Sequence, residues 1–384
     1  MKTTMSAMAY GLLGMVIFAA CSPGPIVQLT ESGLDRQHFQ AVVNGDSTNL
    51  YVLTNAAGME VCITNYGGRI VSLMVADAEG KFQDVVLGFD NIDAYTSQSS
   101  SFGATMGRFA NRIDSGRFML GNDTVQLDLN SGEHTIHGGA EGWRQQVFAA
   151  DQLNDSTLVL HYVSPDGESG FPGEVTVAVT FAVNQRNELA ISYEAQATET
   201  TVINMTNHSF FNLSGDVGNT VLGDILYVNA DRYTPLDSTL ITTGELLPVA
   251  NTPFDFTTPI RISDAMARDS THAQLKIAEG IDHNMVLSTN GDISKLAARL
   301  YSPQRGIALE VYTDEPGLQV YTGNMLDGSQ KGKSGRPLGK QTAICLETQH
   351  FPDSPNKPQW PSTVLAPGNT YQHTCIYRFL AGRR

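Results

Sequence analysis

The chain has 384 residues and a formal charge of −15, with 24 basic against 39 acidic side chains. So acidic a protein repels nucleic acid and anionic membranes, and it carries no basic stripe and no DNA- or RNA-reading motif. Its length could hold two domains, but large all-β architectures of this size stay single.

Residues 1–20 read as a targeting segment. Lys2 supplies the positive start, residues 11–20 an apolar stretch, and Ala19-Ala20-Cys21 a small-residue exit. That stretch is shorter than the ~20 residues needed to span a bilayer. Cysteine directly after two alanines predicts lipoprotein-type processing with Cys21 lipidated, so that the protein is exported to the periplasm or cell envelope and meets a membrane only through its anchor. Phe18 stands where such sites usually carry Leu, and plain secretion with a small-residue cut is the alternative. Residues 21–37, with Pro23, Gly24, Pro25 and Gly33, read as a tether, and 38–384 as a single domain. Cleavage leaves 23 basic and 39 acidic residues, a formal charge of −16. The other cysteines, Cys62, Cys345 and Cys375, sit in apolar runs and read as small buried hydrophobes.

The body is strand-rich. Val175, Val177, Val179, Phe181 and Val183 alternate with smaller or polar residues, Asn184-Gln185-Arg186-Asn187 turns the chain, and Leu189, Ile191, Tyr193 and Ala195 resume the period of two. Similar runs cover 59–64, 70–75, 85–87, 124–129, 157–163, 225–229, 297–301 and 307–313. A weak helical pattern occupies 263–279. These elements predict an all-β protein, a large and mostly antiparallel β-sandwich, with functional residues at strand ends and loops.

Several stretches carry chemistry-capable residues. Gly107-Arg108-Phe109-Ala110-Asn111-Arg112 presents two arginines, whose planar forks suit carboxylates or neighbouring sugar hydroxyls; salt bridging is the commoner fate of either alone. His137-Gly138-Gly139 sets a histidine before two residues that permit close backbone approach. Thr206-Asn207-His208-Ser209-Phe210-Phe211 runs polar groups through a buried-looking strand, where each needs a partner. Gly280-Ile281-Asp282-His283-Asn284 and Gly317-Leu318-Gln319-Val320-Tyr321 add a carboxylate and an amide. In Cys345-Leu346-Glu347-Thr348-Gln349-His350-Phe351-Pro352-Asp353-Ser354-Pro355, an apolar run delivers a glutamate and a stiff proline turn follows. Gly332-Lys333-Ser334 looks like a P-loop tail but lacks the earlier glycine, and reads as a solvated loop. His137, His208 and Glu347 could form a two-histidine, one-carboxylate metal site, against which stands the lack of metal-ligand spacing; no metal is expected there.

Taken together these stretches, with Asn65-Tyr66-Gly67-Gly68 and Tyr321-Thr322-Gly323-Asn324, resemble in order and spacing the aldose 1-epimerase (galactose mutarotase) family from about Tyr66 onward. The resemblance implies a β-supersandwich that interconverts the anomers of free hexoses such as glucose and galactose, with no cofactor in the chemistry. It implies Glu347 as general base and His208 as general acid. It makes His137, Arg112, Asn111, Asp282 and Gln319 the sugar-binding set. Phe109, Met325 and Trp360 depart from the family pattern outside that set. The partner is then a free aldose, and a monomer is expected. So acidic a chain leaves room for a structural Ca2+ ion, although no loop has EF-hand spacing.

The residue types fit that chemistry independently. Ring opening takes a proton from O1 and gives one to O5; after roughly half a turn about C1–C2 the roles reverse. Ordinary values of ~4.3 and ~6.5 predict an ionised Glu347 and a protonated His208 at neutral pH, each supporting the other's charge. Three other readings stand beside this one: a sugar-phosphate epimerase on the same fold, a non-catalytic sugar-binding lipoprotein on the same fold, and a glycoside hydrolase using Glu347 and Asp282. Against the first stands that only Arg112 and Arg108 lie near the motifs to hold a phosphate.

Overall fold

The protein is described here by a computed structural model covering residues 29–98 and 100–382. The targeting segment and Cys21 lie outside the described residues. Within the expected tether, residues from Leu29 onward lie against the body: Ser32 Oγ is 2.9 Å from Ser72 Oγ, the Glu31 amide donates to Glu60, and Leu34 is buried. Among the described residues no helix is long and apolar enough to cross a membrane.

A nine-stranded antiparallel sheet forms one layer. From one edge it runs Ala149–Asn154, Thr157–Ser164, Val175–Val183, Glu188–Ala197, Tyr371–Ala381, Ile307–Thr313, Ala298–Ser302, Ile225–Val228 and Ile260–Arg261. The alternation seen in the sequence is the reason for its two faces. Val175, Val177, Val179, Phe181 and Val183 are buried while their neighbours are exposed or half-buried, because successive side chains point to opposite sides of the pleat. The Asn184–Asn187 turn pairs Val183 with Leu189 and Phe181 with Ile191, as the pattern predicts.

Two smaller antiparallel sheets pack across that buried face. One has six strands in the order Phe210–Phe211, Ile344–Gln349, Gly317–Tyr321, Asp282–Leu287, Ala230–Tyr233, Leu247–Pro248; the other has four, from Leu50–Thr54 to Phe82–Asp84. The main core joins Val177 and Phe181 of the large sheet to Met285, Leu318, Val320 and Leu346 of the six-stranded sheet and Val61 and Ile63 of the four-stranded one. Cys62, Cys345 and Cys375 are free and buried.

Several expectations change. The helical pattern at 263–279 resolves into two short helices, Ile262–Ala267 and Ala273–Ile277. A third, Ile92–Ser97, gave no apolar period because it is a turn and a half long; Asn91 Oδ1 caps it by accepting from the Ala94 amide. Residues 85–87 form no strand, only a bridge from Val86 to Phe211. Lys333 is not in a solvated loop: its ammonium donates to Asp84 Oδ2 at 2.5 Å and to the Val71 carbonyl at 2.7 Å, clamping a 3-10 turn onto the four-stranded sheet.

Candidate active site

The six-stranded sheet sets the carboxylates. Across three neighbouring strands Asp282 pairs with Tyr321 and Tyr321 with Cys345; two residues along, Asn284 pairs with Gln319 and Gln319 with Glu347. A period of two therefore places all six on one face, while Met285, Leu318, Val320 and Leu346 enter the core from the other. His208 comes from the strand Thr206–His208, which is paired to Ala104–Met106. Phe210 follows two residues later and stacks on the His208 ring at 4.9 Å and 15°.

Two loops complete the wall. Asn111 holds a left-handed conformation, and its side-chain oxygen accepts from the Arg112 amide. His137 is also left-handed, and its Nδ1 accepts from the Asn111 amide at 3.2 Å. The neutral His137 ring thus keeps its proton on Nε2. Gly138 follows because nothing larger fits: a Cβ there would stand 2.0 Å from the Gly107 carbonyl oxygen.

These elements enclose a cavity of about 400 Å³ lined by Asn111, Arg112, His137, His208, Asp282 and Glu347. Six of the seven residues expected from the sequence are brought together. The seventh, Gln319, lies behind Asp282 and donates to its Oδ1 at 2.6 Å. Arg108, the other arginine of its motif, points elsewhere and spends its fork on Ser164 and the carbonyls of Pro165, Pro172 and Gly173.

Other residues at the site were not singled out from the sequence. Arg144 donates to the His137 carbonyl at 3.1 Å, and its own carbonyl accepts from Arg69 at 2.6 Å. Neither arginine sits in a motif with a chemical pattern, so no signal marked them. Tyr321 ends the Gly317–Tyr321 strand. Its place two residues from Gln319 on a strand was the usable clue, and its hydroxyl accepts from the Met325 amide at 2.9 Å. Asn130, Ser100, Ser101 and Phe102 close the rim.

At the floor, His208 Nε2 lies 3.7 Å from Glu347 Oε1, with both side chains almost wholly buried. Burial pushes Glu347 well above the usual carboxylate range; the nearby Asp282 carboxylate adds to this and Arg112 opposes it. Burial also pulls His208 down to about 3, helped by Arg144 and Arg69. The expectation of an ionised Glu347 facing a protonated His208 is thereby reversed for the free protein. Ordinary pKa values describe groups in water, and desolvation here favours one proton on the carboxyl and a neutral ring. Burial likewise holds His137 well below 6.5. Asp282 is raised by burial, with Arg112 and Gln319 opposing.

His208 Nδ1 is 3.4 Å from Cys345 Sγ. The thiol is held protonated by burial and by the Glu347 and Asp282 carboxylates, and its contact with Nδ1 turns the other ring nitrogen, Nε2, toward Glu347. His208, Cys345 and Glu347 bring one ligand-capable atom each within 4.8 Å. One histidine nitrogen faces the thiol at 3.4 Å and the other the carboxylate at 3.7 Å, so no single ring nitrogen faces both.

Residues 49–378 match the family model for aldose 1-epimerase. The chain is 42% identical over 321 residues to a galactose mutarotase of Mus musculus, covering 84% of this chain and 91% of that one. It is 34% identical over 340 residues to an aldose 1-epimerase of Escherichia coli, covering 88% and 97%. Among solved structures it superposes on an aldose epimerase homologue from C. elegans with a TM-score of 0.81 and 28% identity, over 88% of this chain and all of that one. A galactose 1-epimerase from Lactobacillus acidophilus gives 0.78 and 28%, over 89% and 97%.

Proposed function

This chain belongs to the aldose 1-epimerase family, and from that premise we propose how its cavity interconverts the two anomers of a free aldose. The enzyme is a mutarotase, an isomerase that opens and recloses the hemiacetal of free hexoses. One observation carries the assignment of roles. Glu347 and His208 meet at 3.7 Å on the cavity floor, and the reaction needs a base and an acid acting on two oxygens of the same carbon.

Glu347 carboxylate takes the O1 proton while His208 imidazolium gives its Nε2 proton to O5. The C1–O5 bond breaks and the open-chain aldehyde stands between a protonated Glu347 and a neutral His208. Rotation about C1–C2 presents the other carbonyl face, and both protons return along the same paths. The uncharged pair is the one that burial favours. The site thus stabilises the proton distribution of the open-chain intermediate and places the electrostatic cost on the ring-closed states.

The remaining residues hold hydroxyls. Arg112 has no side-chain partner among the described residues and presents its fork to the cavity. Asp282 accepts from a sugar hydroxyl while Gln319 fixes its carboxylate. His137 donates from Nε2, and Asn111 offers its amide beside it. Proton transfer between carboxylate and imidazole requires no cofactor. A hydrolase built on Glu347 and Asp282 gains no support, because the acid–base contact is to His208. Exchange spectroscopy on the anomeric proton of glucose tests the roles: Glu347→Gln or His208→Gln should slow enzymatic exchange by roughly 10²- to 10⁴-fold. Retained exchange in either variant rejects the assignment.

We also propose export with a lipid anchor at Cys21, supported by the apolar segment and the Ala19-Ala20-Cys21 exit. Activity should then sediment with membranes and become soluble in a Cys21→Ser variant; a soluble wild type counts against the anchor.

A further inference from the structure

A second polar surface lies on the face that carries Glu347, outside the residues that line the cavity. Thr234, one residue past the Ala230–Tyr233 strand, extends the row Asn284, Gln319, Glu347, its amide donating to the Asn284 carbonyl at 3.0 Å. Its neighbour Tyr233 enters the core alongside Met285, so Thr234 shares the face of Asn284. Gln349 follows two residues after Glu347 and pairs with Gly317. All five side chains are nearly inaccessible to solvent.

Their polar atoms are largely unpartnered. Both amide atoms of Asn284, both of Gln349, Gln319 Oε1, Thr234 Oγ1 and Glu347 Oε2 make no hydrogen bond among the described residues. Leaving a buried polar group unsatisfied costs about 1–3 kcal/mol each, so a contiguous set of them marks a place where small polar molecules are held. Gly317 is what lets the Asn284 amide lie over this strand: a Cβ there would stand 2.4 Å from Asn284 Oδ1 and 3.0 Å from Phe351. A buried water needs two to four polar partners, and this seam offers them on three adjacent strands and the end of a fourth.

We propose that Thr234, Asn284 and Gln349 hold ordered water that hydrogen-bonds to Glu347 Oε2, and that Asn284 and Gln349 are positioning residues which keep this carboxylate able to ionise once a sugar closes the cavity. The proposal rests on the mutarotase reading. The reactive arrangement for a closed ring is the charged one, and a carboxylate accepting hydrogen bonds on its rear oxygen is favoured over its acid. The other groups acting on Glu347 are His208 from the facing strand, Arg112 from its loop, Asp282 and Tyr321 from neighbouring strands, Cys345 on its own strand, and Tyr377 from the large sheet. Of these, Arg112 alone opposes burial directly, and it stands on the cavity side, where the sugar competes for it.

The test is the pH profile of mutarotation in Asn284→Leu and Gln349→Met, with Asn284→Ser as the conservative variant. Removing the seam's hydrogen bonds should raise the alkaline limb by about one pH unit and lower the plateau about tenfold, since the charged pair becomes scarcer by the same factor. Asn284→Ser should restore both. A lower plateau with an unmoved limb would mean a packing role only and overturn the proposal. If both apolar variants fail to fold, a crystal structure of the wild-type protein decides. Water bridging Asn284, Gln349 and Glu347 Oε2 is expected, and amides bonded directly to one another overturn it. Loss of mutarotation in the wild type would instead reject the functional reading itself.

Discussion

Gln319 Nε2 lies 2.6 Å from Asp282 Oδ1, which makes an amide outside the cavity wall the partner of a carboxylate on it. A hydrogen bond to a charged group is worth about 1.5–3 kcal/mol. Gln319→Leu should therefore raise KM by roughly 10- to 100-fold and leave kcat much less affected, because the role proposed for Asp282 is to hold hydroxyls rather than to move protons. Initial-rate polarimetry across sugar concentration reads both; an equal fall in kcat at constant KM would assign Gln319 to the chemical step instead.

The pH dependence follows from a pair that shares one proton. Activity needs that single proton, so it falls on the acid side when the pair gains a second and on the alkaline side when it loses its last. With His208 pulled down to about 3 and Glu347 pushed well above the carboxylate range, the plateau should extend well below the ordinary histidine value and above the ordinary carboxylate one. A profile of kcat/KM centred between ~4.3 and ~6.5, with limbs at those values, would show two independently solvated groups.

Gly138→Ala should damage the site without touching a proton. Its φ of +81 disfavours a side chain, and its Cβ would meet the Gly107 carbonyl at 2.0 Å and its carbonyl carbon at 2.6 Å. The strand end that holds His137 must move. We expect a loss of at least ~1 kcal/mol of stability and weakened sugar binding, read by urea unfolding and by KM. Unchanged values for both would show that the loop yields freely.

Just past the strand that carries Glu347, His350 Nδ1 donates to buried Glu315, which also faces His373 and Tyr371. Glu315 is held below its ordinary value and His350 above. The Glu315 contribution is present above the unfolded carboxylate pKa and lost as pH falls through the depressed folded one. The His350 contribution is full below ~6.5 and lost as pH rises through its raised folded value. Glu315→Gln should cost roughly 3–5 kcal/mol, most between pH ~4.3 and ~6.5, with the gap to wild type narrowing on either side. Denaturant midpoints at several pH values measure it; a pH-independent gap would leave only packing.

The sandwich was legible because its strands obey a clean period of two, and the alternation from Val175 to Val183 alone marks the face that is buried. The Ile92–Ser97 helix was not, since it is capped by one asparagine side chain and is too short for periodicity to register. The site was legible residue by residue through motif order, since Glu347, His208 and Asp282 each sit where a strand or loop signal delivers them. Charge state was not. It depends on desolvation at a point where three strands and two loops converge, and no local pattern encodes that. The same holds for Arg69 and Arg144, which act on His208 through space from parts of the chain with no chemical motif, and for Lys333, whose partner Asp84 lies 249 residues away.

The central claim is that Glu347 and His208 work as one proton-sharing unit. Polarimetry on fresh α-D-glucose with wild type, Glu347→Gln, His208→Gln and the double variant tests it most directly. If they act as a unit, the double variant loses no more than the worse single one. Losses that multiply would show two groups acting independently and contradict the account.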